Sequence, residues 1–194
     1  MNCFGQKNMK PLFNGINFNG WEGDTLHTWH IEDSAIIGGS LHDTVAHNYF
    51  LCTKESFTSF HLRLRFKLLG TEGFINSGIQ FNAKRLSDPP YEMTGYQADL
   101  GDGFWGSLYD ESRRNITLTP IDSVLIKKII NKQQWNTYDI WSKNGRIQLF
   151  INGNKTADYT EQDASVPQQG IIGLQIHGYG KAEVQFRDII IEVL

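Results

Sequence analysis

In the decapeptide FHLRLRFKLL, residues 60–69, apolar and polar side chains alternate from Phe60 to Leu68. Phe60, Leu62, Leu64, Phe66 and Leu68 fall on one side, and His61, Arg63, Arg65 and Lys67 on the other. A period of two sustained this long fits a pleated strand with one buried and one wet face, and fits no helix. The four cations read as a solvated row, since charged outer rows also discourage stray edge pairing.

The same alternation places strands at 29–32, 35–38, 48–53, 77–82, 95–100, 105–109, 135–142, 146–151, 171–177 and 182–193. Asn144-Gly145 and Asn152-Gly153 are hairpin turns, because both residue types tolerate positive φ. Only 121–133 suits a helix, and its β-branched residues weaken that. Many short strands with no βαβ rhythm indicate an all-β, two-sheet antiparallel sandwich of jelly-roll type. The organisation expected is a tail over 1–10 and one domain over 11–194.

Charge narrows the partners. A net charge of −3 with 20% charged residues gives no footprint for nucleic acid or an anionic membrane. No apolar run approaches the ~18 residues of a membrane helix. Two cysteines, Cys3 and Cys52, make neither a disulfide framework nor a four-cysteine zinc site. MNCFGQKNMK lacks the apolar core of a leader, so the chain is cytoplasmic or already trimmed. Cys3 reads as a free tail thiol, since no lipobox precedes it.

Three strands break the ordinary pattern on their polar side. In SGIQFN (77–82), Gln80 and Asn82 oppose Ile79 and Phe81; in GYQADL (95–100), Gln97 and Asp99 oppose Tyr96, Ala98 and Leu100; in IGLQIH (172–177), Gln175 and His177 oppose Ile172, Leu174 and Ile176. Amides and carboxylates two residues apart suit a sugar, whose hydroxyls both donate and accept. An ordinary wet face would carry Lys, Glu and Thr instead. Trp105 and Tyr109 are candidates to stack on a pyranose. Arg113-Arg114 after Asp110-Glu111 is either a salt-bridged loop worth little or an anchor for an anion. His177 suits proton transfer near neutral pH. The remaining histidines follow no metal-ligand spacing; a divalent metal held by Asp and carbonyl oxygens is left open.

LFNG…FNGW (12–21), WHIEDSAIIGG (29–39), FHLRLRF, NSGIQF (76–81), GYQADLGD, WGSLYDESRRN, WNTYDI, INGN, GIIGLQIHG and VQFRDI follow one another in an order that resembles the 3-keto-disaccharide hydrolase family. The resemblance runs from Pro11 to Leu194. It implies a concanavalin A-like jelly roll, as in lectins and glucanases, whose concave face binds a saccharide, and a bacterial enzyme acting in the periplasm or outside the cell. On that resemblance Asn76, Gln80, Gln97, Asp99, Glu111, Arg113 and His177 stand at the family's polar motifs. Two positions depart from it: Asn82 where members carry Arg, with Arg85 as a substitute, and Ser34 where the first hairpin usually turns on Gly.

A glucanase would alternate carboxylates along one strand, and Gln97-x-Asp99-x-Gly101 has one acid where three are wanted. A 3-keto sugar needs less: a base at carbon 2, an acid for the group leaving carbon 1, and stabilisation of the enolate. Asp99 or His177 is cast as base, Glu111 as acid, and Arg113 or a metal as enolate stabiliser. The rival reading is a non-catalytic carbohydrate-binding domain, which needs no base.

Overall fold

The turn chemistry carries through. In the computed structural model, which describes residues 8–194, Asn144 and Gly145 adopt φ 51° and 79°, and Asn152 and Gly153 adopt 49° and 78°. The first hairpin turns the same way on Asp33 and Ser34, at φ 48° and 59°, so the serine changes no geometry. Cys3 lies outside the described residues.

The strands sort into two antiparallel sheets. The first holds β1 (Lys10–Pro11), β3 (Trp29–Glu32), β4 (Ala35–Gly39), β6 (Phe60–Gly73), β11 (Asn136–Lys143), β12 (Arg146–Ile151), β13 (Asn154–Thr160) and β15 (Gly180–Val193). Its order is β13-β12-β11-β6-β15-β4-β3, with β1 also against β15. The second holds β2 (Trp21–Glu22), β5 (Tyr49–Thr53), β7 (Asn76–Arg85), β8 (Met93–Gly101), β9 (Leu108–Glu111), β10 (Ile116–Thr119) and β14 (Ile171–Ile176), in the order β10-β9-β8-β7-β14-β5-β2. Helix α1 (Ser123–Ile129) is shorter than its expected span; the Asp122 carboxylate caps it, accepting from the Val124 and Leu125 amides at 3.0 Å.

Between the sheets lies one apolar core. Leu62, Leu64 and Phe66 of the first sheet meet Ile79, Phe81, Tyr96 and Leu174 of the second. Burial of such side chains supplies roughly 1.5–3 kcal/mol each.

Several expectations need correction. Lys10, placed in the tail, pairs with Ile191. The strand expected over 105–109 begins at Leu108, because 102–106 is a turn. His61 is buried rather than wet: its ring stacks on Trp141 at 3.7 Å and its Nε2 lies 2.6 Å from Asp139. Arg65, Lys67 and Arg187 ring Trp135, the nearest guanidinium at 4.0 Å, so the outer cations are partly spent on one indole.

Candidate functional site

Register decides which side chains meet. On the outer face of the second sheet, Phe50, Gln175, Gly78 and Asp99 stand in one row across β5, β14, β7 and β8. The next row is Cys52, Gly173, Gln80, Gln97 and Tyr109, and the one after pairs Gly95 with Glu111. At the opposite end Asn76 pairs with Gly101, and its carbonyl accepts from the His177 amide. Gln80, Gln97, Asp99 and Gln175 therefore share one face, as do Asn76, Tyr109 and Glu111. Asp99 and Glu111 are four residues apart along the strands and one strand across, about 14 Å between Cα atoms.

The face is not an open surface. Beyond a register shift after Phe81, with Asn82 at φ 45° and Gly95 at φ 147°, the far end of the β7–β8 hairpin bends back over β14 and β5. Met93 Sδ reaches Cys52 Sγ at 3.4 Å, Arg85 donates to the Phe50 carbonyl at 3.3 Å, and Tyr91 stacks on His47 at 4.2 Å. Asn48 donates to Glu92 Oε1 at 2.9 Å. Phe50, Cys52, Ala83 and Met93 form a small second core under this flap. Burial there pushes the Cys52 thiol up to about 12, which makes it inert.

Under the flap's edge runs a chain of polar contacts. Gln80 Nε2 donates to Gln97 Oε1 at 3.0 Å, Gln97 Nε2 donates to Asp99 Oδ1 at 2.7 Å, and Ser107 Oγ donates to Asp99 Oδ2 at 2.9 Å. Gln97 lies directly over Gly78, where an added methyl would fall 2.6 Å from its amide carbon. Several polar atoms are left without partners: Gln175 Nε2 and Oε1, Gln80 Oε1 and Glu92 Oε2. Buried groups of that kind are rare, and each normally costs about 1–3 kcal/mol.

The carboxylates are pushed toward neutrality. Burial raises Asp99 to about 6, against the opposing hydrogen bonds from Gln97 and Ser107. Burial, then the charges of Glu92 and Asp99, raise Glu111 to about 7. Burial, then Glu111, also raises the Tyr109 hydroxyl.

Other expected residues stand elsewhere. Trp105 is no platform for a sugar on this face: its ring packs on Phe66 in the core and its Nε1 donates to Asp102. Arg113 turns away too, with Nε donating to Asp110 at 2.8 Å and its guanidinium over the core-facing ring of Tyr96 at 4.6 Å. Asp110 alternates with Tyr109, so it points inward and draws the arginine with it. Asn82, at the bend, donates to Ser142 of the opposite sheet, and Arg85 is held by the Glu22 and Phe50 carbonyls. Arg85 thus lies beside Phe50 and Cys52 rather than on the Gln80–Gln97–Asp99 row. His177 ends the face, its Nδ1 2.9 Å from the Gly178 carbonyl oxygen and its ring against Phe74.

Sequence reading missed Ser107, Glu92 and Asn48. Extending the period of two backward from Tyr109 finds Ser107; nothing local finds Glu92 or Asn48, which meet only because the hairpin bends. Among the described residues no group of three or more His, Cys, Asp or Glu has a metal-holding arrangement.

The chain belongs to the family of the 3-keto-alpha-glucoside-1,2-lyase-like domain, which matches residues 8–192. It is similar in fold to a provisionally named glycosyl hydrolase of Parabacteroides distasonis, at 20% identity and TM-score 0.72 over 97% of this chain and 94% of that one. The carbohydrate-binding module CBM66 of Bacillus subtilis aligns at 14% identity and TM-score 0.67, over 89% and 95%. A galectin-like Bacillus subtilis protein of unknown function aligns at 13% and 0.60, over 95% and 94%. Comparison with curated proteins found no match. No helix among the described residues is long and apolar enough to cross a membrane.

Proposed function

We propose that this protein cleaves 3-keto-glucosides or 3-keto-disaccharides by enolisation at carbon 2. The observation that carries this is the pair of carboxylates, Asp99 and Glu111, held in the neutral range beside unpaired buried amides. A group near 6 is an effective base at pH 7, and one near 7 is still half protonated and able to act as acid.

Asp99 removes the proton from carbon 2, made acidic by the adjacent ketone. The electron pair passes to the carbonyl oxygen as an enolate, which the free Gln175 amide is suited to stabilise in place of Arg113. As the ketone re-forms, the carbon 1–oxygen bond breaks and a carbon 1–carbon 2 double bond forms. Glu111 protonates the departing oxygen. Water then adds at carbon 1 and gives its proton to Glu111, while Asp99 returns its proton to carbon 2, which completes a net hydrolysis and restores both acids.

The likeness to CBM66 and the flap over Gln80 and Gln175 favour a second reading, a carbohydrate-binding domain without catalysis. Incubation with matched 3-keto- and unoxidised glucosides separates them. Cleavage of the 3-keto sugar alone supports enolisation; equal cleavage of both indicates a conventional glycosidase; binding without turnover indicates the module. The family reading further implies work in the periplasm or outside the cell, which fractionation of a bacterium expressing the full-length gene product would test.

A further inference from the structure

The row proposed to hold the sugar is closed to it in this structure. Gln80 and Gln175 have no exposure, and Gln97 and Asp99 have 3% and 4%. The end of the β7–β8 hairpin lies over β14, and its contacts give its course. A methyl added to Gly173 would fall 2.9 Å from Met93 Sδ, so Met93 sits on the row that holds Gln80. Tyr91 stacks on His47, and Glu92 accepts from Asn48. Since Tyr49 pairs with Ile176, residues 91–93 run from the end of β14 past Gln175 to Gly173.

Three features let this segment move as a unit. Its tip is closed by its own hydrogen bonds, Leu86 donating to the Glu92 carbonyl at 2.9 Å and Glu92 to the Pro89 carbonyl at 3.1 Å. Its base is a hinge. The β7–β8 register shifts between Phe81 and Lys84, where Asn82 and Gly95 take φ 45° and 147°, and the Asn82 side chain is anchored to Ser142. Closure also has a cost, because Gln175 Nε2 and Oε1, Gln80 Oε1 and Glu92 Oε2 are buried without partners, and opening returns them to water. Against that cost stand the small Phe50–Cys52–Ala83–Met93 cluster, the Arg85 bonds and the His47–Tyr91 stack, whose tyrosine is 41% exposed.

We infer that residues 84–94 are a lid hinged at Asn82 and Gly95, and that a saccharide reaches Gln80, Gln97, Asp99 and Gln175 only when this lid lifts. This rests on the reading of that row as the sugar site. Side chains with so little exposure leave no room for a sugar ring beneath the closed lid, so the sugar displaces it. Apparent affinity is then reduced by the fraction of molecules that are open.

Cys52 reports the motion without any substrate. It lies under the lid, with Sγ 3.4 Å from Met93 Sδ, and Cys3→Ser removes the chain's other thiol. In that background the rate of Cys52 modification by N-ethylmaleimide is followed at low urea concentrations, beside the unfolding transition. A hinged lid gives labelling at least about tenfold faster than global unfolding allows, and nearly independent of urea. Tyr91→Ala and His47→Ala remove the stack from either side and should each raise that rate by about fivefold. Labelling that follows global unfolding in all three proteins overturns the lid. The link to the sugar is read with methyl 3-keto-glucoside. A looser lid raises the competent fraction, so KM should fall by about the same factor while kcat stays within about twofold. A raised or unchanged KM in variants that label faster overturns the exclusion, since a hairpin that merely props the site would weaken binding when loosened. Should nothing be turned over, the enzyme reading fails on its own while labelling still decides the lid. The calorimetric Kd for the same sugar, expected to fall in both variants, then replaces KM, and absence of binding in all three proteins overturns the exclusion.

Discussion

Two sets of buried acids, on opposite faces of the β8–β9 pair, meet opposite fates. Asp110 and Glu161 face inward with Arg113 and Arg114: Arg113 and Arg114 pair with Asp110, and Arg114 Nη2 lies 2.7 Å from Glu161. Burial pulls Glu161 upward, but hydrogen bonds from Arg114 and Tyr96 outweigh it and bring it to about 2. Asp99 and Glu111 stand on the outer face with no arginine among the causes of their shifts, and burial carries them to about 6 and 7. One set is neutralised and holds the sandwich edge together. The other retains its proton affinity, which is what acid–base chemistry requires.

The largest effect should come from breaking the neutralised set. Arg114→Ala leaves Asp110, with no side-chain exposure, short of a partner and should destabilise by about 3–5 kcal/mol, read by urea unfolding. Turnover per folded molecule should change little; a selective loss of turnover would erase the distinction drawn here.

Asp99→Asn attacks the other set. Its amide oxygen still accepts from Gln97 and its nitrogen can donate to Ser107, so the fold should hold. Turnover of a 3-keto-glucoside should fall at least ~100-fold, with sugar binding retained. Normal turnover in a folded variant would move the base to His177 or Glu111, and His177→Gln and Glu111→Gln would decide between them.

The pH dependence sharpens the contrast through its sign. Folded Asp99 binds a proton more tightly than the unfolded chain, so its contribution is full below about 4 and is lost as pH rises toward about 6. A shift of about two units corresponds to about 3 kcal/mol. Asp99→Asn should therefore gain stability over the native protein at pH 8, by up to that amount, and none at pH 4. Glu161 behaves oppositely: its stabilisation is full above about 4.5 and is lost as pH falls toward about 2. Thermal unfolding between pH 3 and 8 would show both slopes, and a gain for Asp99→Asn at pH 4 would contradict the assignment.

The smallest effect is expected at Arg113. Since its guanidinium faces Asp110 and Tyr96, Arg113→Lys should leave kcat within about threefold and cost on the order of 1 kcal/mol of stability. A kcat collapse would return it to the reaction.

What the sequence determined was parity. Alternation in residues 60–69, 77–82, 95–100 and 172–177 assigns each side chain to the core or to the outside, and the Asn-Gly turns set the hairpins; these signals lie within a few residues, where sterics and hydrophobic period act. That Gln80, Gln97, Asp99 and Gln175 share a face follows from the same parity. β1, β2 and β10 went unseen because two to four residues carry no readable period, and β13 because Asn154, Lys155 and Asp158 dilute it. Tertiary structure decided the environment of each group. Asp99 and Asp110 are both acids within strands, yet only the packed sheets show that Asp110 finds two arginines and Asp99 an amide. The bend at Asn82 and Gly95, which buries the polar row and brings Glu92 to Asn48, depends on contacts with β5 and β14 far away in the chain. Charge and burial are properties of neighbours in space, so a carboxylate's pKa is set only when those neighbours have been assembled.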